Sequence, residues 1–145
     1  MTDVVKVNSG SMYETKESYS RLVRVGDLIF VSNTAGRDYQ TREIPADAVG
    51  QARASLQNIA GALEAVGSSL KDVVHRRIFV PDPADVLGVM EVVGEAFRGI
   101  DPASTVTCTP LAAPEYKAEI EVTAYVGAAD AETRRISVDL SRSRG

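Results

Sequence analysis

The amino-acid sequence predicts an α/β sandwich in which two amphipathic helices cover one face of a mixed β-sheet. Three observations lead to this fold class: short runs of β-branched residues bounded by turn residues, two segments with apolar residues at helical spacing, and the alternation of these segments along the chain. With 145 residues, of which 44% are hydrophobic and 25% charged, the chain is long enough to bury a core of its own.

The first predicted elements form a β-hairpin. Residues 22–25 and 28–32 are largely apolar, and Gly26-Asp27 between them is a tight-turn dipeptide. A polar lead-in rich in Ser and Gly, residues 8–11, stands before this hairpin. Residues 33–45 contain glycine and proline without periodicity and predict a surface loop.

Two segments predict the helices. From Ala46 to Val66 the apolar residues follow one helix face, and Gly67 stands where a helix-ending glycine is common. After Pro81, the pair Asp82-Pro83 predicts an N-cap followed by a first-turn proline. The buried side of the second helix is predicted to consist of Val86, Val89, Met90, Val93, Ala96 and Phe97.

Three more strands complete the predicted sheet. Residues 73–80 lie between the helices, and residues 104–109 and 117–126 follow the second helix. The two helices can cover only one side of such a sheet. Ile120, Val122 and their neighbours would then leave an apolar surface on the other side, so self-association is expected.

The boundaries of the folded part follow from these elements. Residues 1–127 are predicted to form a single domain, and residues 128–145 a polar C-terminal tail. Within the tail, residues 136–140 could pair as an edge strand, but the favoured prediction is an unpaired segment.

Composition argues against several classes of function. A net charge of −4 disfavours a broad nucleic-acid-binding face. The chain shows no apolar run near the roughly 20 residues that span a bilayer and no signal-peptide pattern, which predicts a cytoplasmic protein without a membrane partner. His75 and Cys108 are the only residues of their types, so neither a His/Cys metal cluster nor an intrachain disulfide is expected. Cys108 is predicted to be buried and inert, and without a Gly-rich phosphate loop no nucleotide cofactor is expected.

Several segments resemble the RidA/YjgF family of small homotrimeric proteins, whose founding members hydrolyse reactive enamines and imines. The similarity runs from Tyr19 to Tyr125 and includes Tyr19-Ser20, residues 24–32, residues 63–74 and residues 119–121. It implies a chorismate-mutase-like fold, a trimer whose sheets form a barrel core, and ligand clefts between subunits. Such a trimer would cover the sheet face that the helices leave open.

The resemblance also implies site residues. Tyr19 matches the family's cleft tyrosine and Glu119 its water-positioning glutamate, and these are the predicted catalytic residues. Four residues are predicted to bind the substrate: Ser32, Asn33, Ser104 and Thr105. Asn33 stands where the family usually has a glycine, and Thr105 where a backbone N–H group faces the substrate carboxylate.

One departure from the family pattern bears on the substrate. The signature Pro-Ala-Arg is replaced, so that Ala103 or Ser104 stands where the family has its carboxylate-clamping arginine. A charge-assisted contact contributes about 1.5–3 kcal/mol, or about tenfold to a hundredfold or more in affinity. The predicted substrate is therefore a small imine, enamine or related carbonyl compound other than a simple 2-imino acid. An arginine from elsewhere could replace the clamp, and the candidates are Arg37, Arg77 and Arg98.

Three functions stay open at this point. The first is a hydrolase with deaminase chemistry, and the second is a non-catalytic trimer that binds a metabolite or a partner protein. A ribonuclease is the least favoured, because the chain is acidic and has one histidine. Structural roles are also open for single residues. Glu119 and Glu121 share one strand face, and both could be solvated or paired with an arginine or lysine across a subunit boundary. Tyr19 could be a packed aromatic residue.

Overall fold

The structure is a computed structural model that describes residues 2–142. In this part of the chain, six strands form one sheet in the order β1-β2-β3-β6-β4-β5. The strands are β1 (Val4–Val7), β2 (Leu22–Val25), β3 (Leu28–Ala35), β4 (Val73–Phe79), β5 (Ala103–Thr107) and β6 (Glu119–Tyr125). Neighbouring strands are antiparallel, except that β4 and β5 are parallel. The mixed sheet confirms the predicted fold class.

Two long helices, α2 (Ala48–Glu64) and α3 (Val86–Ala96), confirm the helices predicted from apolar spacing. The side chain of Asp47 caps α2 by accepting a hydrogen bond from the N–H group of Gly50, and Gly67 adopts the expected left-handed conformation after the helix. Asp82 caps a short 3-10 turn, Pro83–Asp85, which leads directly into α3.

The N-terminal segment contains two short elements that the sequence pattern does not predict. β1 pairs with β2, and the short helix α1 (Met12–Glu17) follows it, capped by the side chain of Ser11. Residues 8–11, between β1 and α1, form neither a helix nor a strand. Elements of four and six residues are too short to show a periodic apolar pattern, which is why the sequence does not predict them.

The core lies between the sheet and the helices α2 and α3. Ile120 and Val122 of β6 are buried there, so the prediction that they face away from the helices is wrong. The open face instead carries a row of cross-strand neighbours that are one-third to one-half exposed: Val4, Val25, Leu28 and Tyr125. Phe30 lies in the next row and is 49% exposed. An apolar open face is thus present, but other residues form it.

The chain after β6 contains one 3-10 turn, Ala128–Asp130, and no helix or strand from residue 131 to residue 142. Residues 136–140 form no strand there, and an ion pair of 2.9 Å between Arg135 and Asp101 ties the segment to the domain. Residues 143–145 of the predicted tail lie outside the described residues, and the division at residue 127 stays a prediction.

Two further predictions concern single features. Cys108 is exposed, not buried, because β5 ends at Thr107 and leaves the thiol on the following segment. Among the helices of residues 2–142, none combines the length and the hydropathy of a bilayer-spanning segment. The cytoplasmic location stays a prediction.

Candidate functional site

A cavity of about 340 Å³ lies beside the end of β3 and the start of β6, where the segment after α1 and the loop before β6 close over the sheet. Three of the predicted site residues line it: Tyr19, Asn33 and Glu119. The same wall contains Arg37, one of the three candidate arginines, and Arg21, which the sequence did not single out.

A β-bulge in β3 directs side chains into this cavity. Val31 pairs with Val122 and Thr34 with Ile120, so one extra residue is inserted in β3 between two buried positions. An inserted residue reverses the alternation of the strand. After the bulge, Asn33, Ala35 and Arg37 line the cavity. The loop predicted to begin at residue 33 therefore begins after Ala35, because the bulge hides the continuation of the strand.

Glu119 is the partly buried one of the two carboxyl groups that line the cavity, since Glu17 is exposed. It is partly buried at the start of β6, where it pairs with Ala35 of β3 and Phe79 of β4. Burial raises the pKa of Glu119, while the positive charge of Arg21 acts in the opposite direction. A raised pKa moves a carboxyl group toward the pH at which it can both donate and accept a proton, which is the property of a general acid/base.

Glu121 lies on the same face of β6 in a different environment. Its carboxylate forms an ion pair of 3.2 Å with Arg77 on the neighbouring strand. It is therefore ion-paired within its own chain and not across a subunit boundary, whereas Glu119 has no ion pair within the described residues.

Arg21 is the most constrained side chain at the cavity. It is 5% exposed, and its guanidinium group donates hydrogen bonds to the hydroxyl of Tyr19 at 3.3 Å and to the carbonyl of Asn33 at 3.1 Å. It also lies over the rings of Tyr19 and Tyr39, at 5.5 and 5.9 Å. The only sequence signal for Arg21 is its position, two residues after Tyr19 and directly before the first strand of the predicted hairpin.

Arg37 and Tyr116 form the other side of the cavity. The guanidinium group of Arg37 donates to the Tyr116 hydroxyl at 3.1 Å and lies 5.4 Å from the centre of that ring. It also contacts the Glu115 carboxylate at 3.4 Å and the carbonyl of Arg42. Arg37 is therefore already neutralised and hydrogen-bonded within its own chain.

Helix α2 holds this wall in place through two amide side chains. Gln51 is fully buried and bridges the carbonyl groups of Pro45 and Glu115 to the N–H groups that follow Tyr116. Asn58, two turns later, donates to the carbonyl groups of Ala35 and Arg37. These contacts join segments far apart in sequence, so no local pattern predicts Tyr116 or Tyr39 as cavity residues.

The remaining predicted substrate-binding residues lie elsewhere in a single chain. Ser32 does not line the cavity, and its hydroxyl donates to the carbonyl of Ser20 at 2.7 Å. Ser104 and Thr105 are exposed on β5, at the far edge of the sheet. Ser104 accepts a hydrogen bond of 3.0 Å from Arg76, a cation the sequence did not select. Their role in binding stays a prediction that requires a second subunit.

The other two candidate arginines also lie outside the cavity. Arg77 pairs with Glu121 on the open sheet face, and Arg98 pairs with Glu95 at 2.9 Å on the surface of α3. Among residues 2–142, no three side chains of the His, Cys, Asp or Glu types are grouped to hold a metal ion.

Comparisons with known proteins place these features in a family. A family model described as Endoribonuclease L-PSP matches residues 10–126. A RutC family protein of Pyrococcus horikoshii is 32% identical over 108 residues, which are 74% of this chain and 86% of that protein. An Escherichia coli protein named 2-iminobutanoate/2-iminopropanoate deaminase is 37% identical over 67 residues, 46% of this chain and 52% of that protein.

Solved structures agree with the sequence matches. A YjgF/YER057c/UK114 family member from Mycobacterium tuberculosis superposes with a TM-score of 0.79 and 38% identity, covering 86% of this chain and all of that one. Escherichia coli TdcF with bound serine superposes with a TM-score of 0.70 and 28% identity, covering 83% of this chain and 92% of that one.

Proposed function

This chain belongs to the Endoribonuclease L-PSP family, also known as RidA/YjgF, and from that premise we propose that it hydrolyses small imines or enamines. The observation that supports this activity is Glu119, a partly buried carboxyl group with a raised pKa in a cavity that also contains Tyr19 and Arg21. Relatives named as reactive intermediate deaminases support the same reaction class.

The proposed reaction uses both protonation states of Glu119. An enamine first gains a proton on carbon from the neutral carboxyl group, which yields the protonated imine and leaves Glu119 as a carboxylate. The carboxylate then accepts a proton from a water molecule as the water oxygen attacks the carbon of the C=N bond. The resulting carbinolamine loses ammonia and leaves a carbonyl compound, so one water is consumed and one ammonia released. A group that acts as acid and then as base needs a pKa near the working pH, and burial shifts the pKa of Glu119 upward, in that direction.

The proposed substrate is a small imine, enamine or related carbonyl compound other than a simple 2-imino acid. Neither Ala103 nor Ser104 supplies a cation at the family's clamp position. Arg37 does line the cavity, but Glu115 and Tyr116 already occupy its guanidinium group. A substrate carboxylate would therefore compete with an existing ion pair for Arg37.

A turnover assay on imines generated in solution tests this proposal. We expect Glu119→Gln to lower kcat/KM by about 100-fold or more, the usual contribution of general acid/base catalysis. Glu121→Gln is the matched control, since it removes a carboxylate on the same strand face that is paired with Arg77 and lies outside the cavity. Full activity of Glu119→Gln would disprove the assigned role. Equal rates on 2-iminobutanoate and on uncharged imines would disprove the substrate assignment alone.

A second candidate is a non-catalytic protein that holds a small metabolite in the same cavity. The structure of TdcF with bound serine supports it, because that relative holds a small polar molecule. Calorimetry with Glu119→Ala separates the two candidates. A binding protein would keep its affinity for a ligand such as serine and show no turnover before or after the substitution. A ribonuclease is not favoured, because the single histidine, His75, lies outside this cavity.

We also propose that three copies assemble through their open sheet faces. The apolar row on that face supports the assembly, because exposed apolar patches of this kind are usually covered. The assembly would bring Ser104 and Thr105 of one subunit toward the cavity of another. The proposed partners are therefore other copies of this chain and a small-molecule ligand, with no nucleic acid or membrane.

A further inference from the structure

A buried ion pair lies directly behind the cavity wall. Glu14 of α1 and Arg21 are 3% and 5% exposed, and the Nε atom of Arg21 lies 3.3 Å from the Glu14 carboxylate. Removing both charges from water is costly unless their remaining hydrogen-bonding groups find partners. The Glu14 carboxylate finds these partners in the N-terminal segment, whereas the Arg21 guanidinium group finds them around the cavity.

The Glu14 end is anchored in the N-terminal segment. Its carboxylate accepts hydrogen bonds from the backbone N–H of Ser9 at 2.9 Å, from the Ser9 hydroxyl and from the Asn8 amide at 3.2 Å. Burial works to raise the pKa of Glu14, but these bonds and the charge of Arg21 together hold it below its usual value. Glu14 is therefore ionised at neutral pH.

The Arg21 end is anchored in the cavity. Besides Tyr19 and the carbonyl of Asn33, its guanidinium group donates to the hydroxyl of Thr34 at 3.2 Å. It thereby joins the tyrosine assigned to catalysis to the bulge that directs β3 into the cavity. A lysine could not make these contacts together, because they use the fork geometry of a guanidinium group.

We propose that Glu14 and Arg21 form a positioning pair for the reaction: Arg21 fixes Tyr19 and the β3 bulge and places a positive charge by Glu119, while Glu14 partly neutralises that charge. Arg21 acts through Tyr19 and Glu119 and is a positioning residue. This inference rests on the proposed function, since it gives a role in the same site to two residues outside the chemical step.

Arg21 is one of several titratable groups around Glu119. Arg37 lines the cavity and is paired with Glu115, and Glu17 of α1 is an exposed acid that also lines the cavity. The remaining titratable groups in the wall are phenols: Tyr13, Tyr19, Tyr39 and Tyr116. On β6 itself, Glu121 is paired with Arg77. Lys117, just before β6, is exposed. Of all these groups, Arg21 is the one whose charge acts on the pKa of Glu119.

The proposal predicts opposite effects of two substitutions. Arg21→Met removes the cation, so the pKa of Glu119 rises further. Glu14→Gln removes the neutralising anion, so Arg21 acts more strongly and the pKa of Glu119 falls. A carbon-13 NMR titration of glutamate carboxyl groups, with the Glu119 signal assigned by its loss in Glu119→Gln, measures both shifts. Arg37→Met is the matched control, and its shift should be smaller than that of Arg21→Met.

Turnover supplies the second readout. With Glu119 acting as the base, the acidic limb of the kcat/KM pH profile should move to higher pH in Arg21→Met and to lower pH in Glu14→Gln. Arg21→Lys keeps the charge and loses the fork, so we expect a nearly unchanged limb with a raised KM. This variant also remains informative if Arg21→Met does not fold.

The two readouts distinguish failure of this inference from failure of the proposed function. If the protein does not hydrolyse imines but the pair acts on Glu119 as described, NMR would still show that the two substitutions shift the pKa of Glu119 in opposite directions. Shifts of the same sign, or no shift in either variant, would show that the pair is only structural and would overturn the inference, whatever the activity.

Discussion

Gln51 has no exposed surface, yet it carries an amide group with four hydrogen-bonding positions. All four are used: the nitrogen donates to the carbonyl groups of Pro45 and Glu115, and the oxygen accepts from the N–H groups of Lys117 and Ala118. One side chain of α2 thus holds the loop that brings Tyr116 into the cavity.

Replacing this amide should destabilise the protein strongly. Gln51→Leu keeps the approximate size of the side chain and leaves several backbone groups near a buried site without partners, each costing about 1–3 kcal/mol. We expect the free energy of unfolding, measured by urea denaturation, to fall by at least about 2 kcal/mol. Gln57→Leu is the matched control, because Gln57 is exposed on the same helix. Equal stability of the two variants would contradict this role for Gln51.

At the residue scale, the sequence identifies part of the cavity. Tyr19, Asn33 and Glu119 were named from motif resemblance, and all three line it. Arg21 and Tyr116 were not named, because their places depend on a buried ion pair and on the Gln51 bridge. Such contacts between distant segments leave no periodic pattern in the sequence.

Among the elements, the end of β3 packs unusually closely against α2. A Cβ atom on Gly36 would lie 2.5 Å from the backbone carbonyl oxygen of Gln51 and 2.9 Å from the Cβ atom of Ala54. Only glycine permits this approach. The close packing also places the carbonyl groups of Ala35 and Arg37 within reach of Asn58.

A methyl group at Gly36 should therefore force β3 and α2 apart. We expect Gly36→Ala to lower the free energy of unfolding by about 1–3 kcal/mol, the usual cost of overpacking. The matched control is Gly61→Ala on the exposed side of α2, where nothing lies within 4 Å of the added atom. That change should raise stability by about 0.5–1 kcal/mol, because alanine favours a helix more than glycine does. Thermal unfolding measures the stability of both variants. If both substitutions changed the stability in the same direction, the packing argument would be refuted.

Element length explains which parts of the fold were predictable. α2 spans 17 residues and α3 spans 11, so each repeats its apolar pattern over several turns. β1 and α1 have four and six residues and repeat nothing. The β3 bulge was also missed, because one inserted residue breaks the alternation from which a strand is recognised.

At the scale of the whole molecule, only one of the two faces of the sheet is covered by helices. One face is buried under α2 and α3, while the other presents an apolar row and Phe30. The exposed residues belong to adjacent strands and point to the same side, so their apolar surface is continuous. The resemblance predicts that two further copies cover this surface.

A charge on the open face should prevent that assembly. Phe30 is 49% exposed and pairs with Thr123 of β6, so Phe30→Glu places a carboxylate on this face without disturbing the core. Burying an unpaired carboxylate between subunits is costly, and we expect light scattering to show a shift from trimer to monomer. Leu87→Glu is the matched control, because Leu87 is 86% exposed on α3, and its mass should stay that of a trimer. A trimeric Phe30→Glu variant would show that another surface joins the subunits.

If the cavity is completed by Ser104 and Thr105 of a neighbouring subunit, the monomeric variant should also lose turnover while its circular dichroism spectrum stays that of the folded chain.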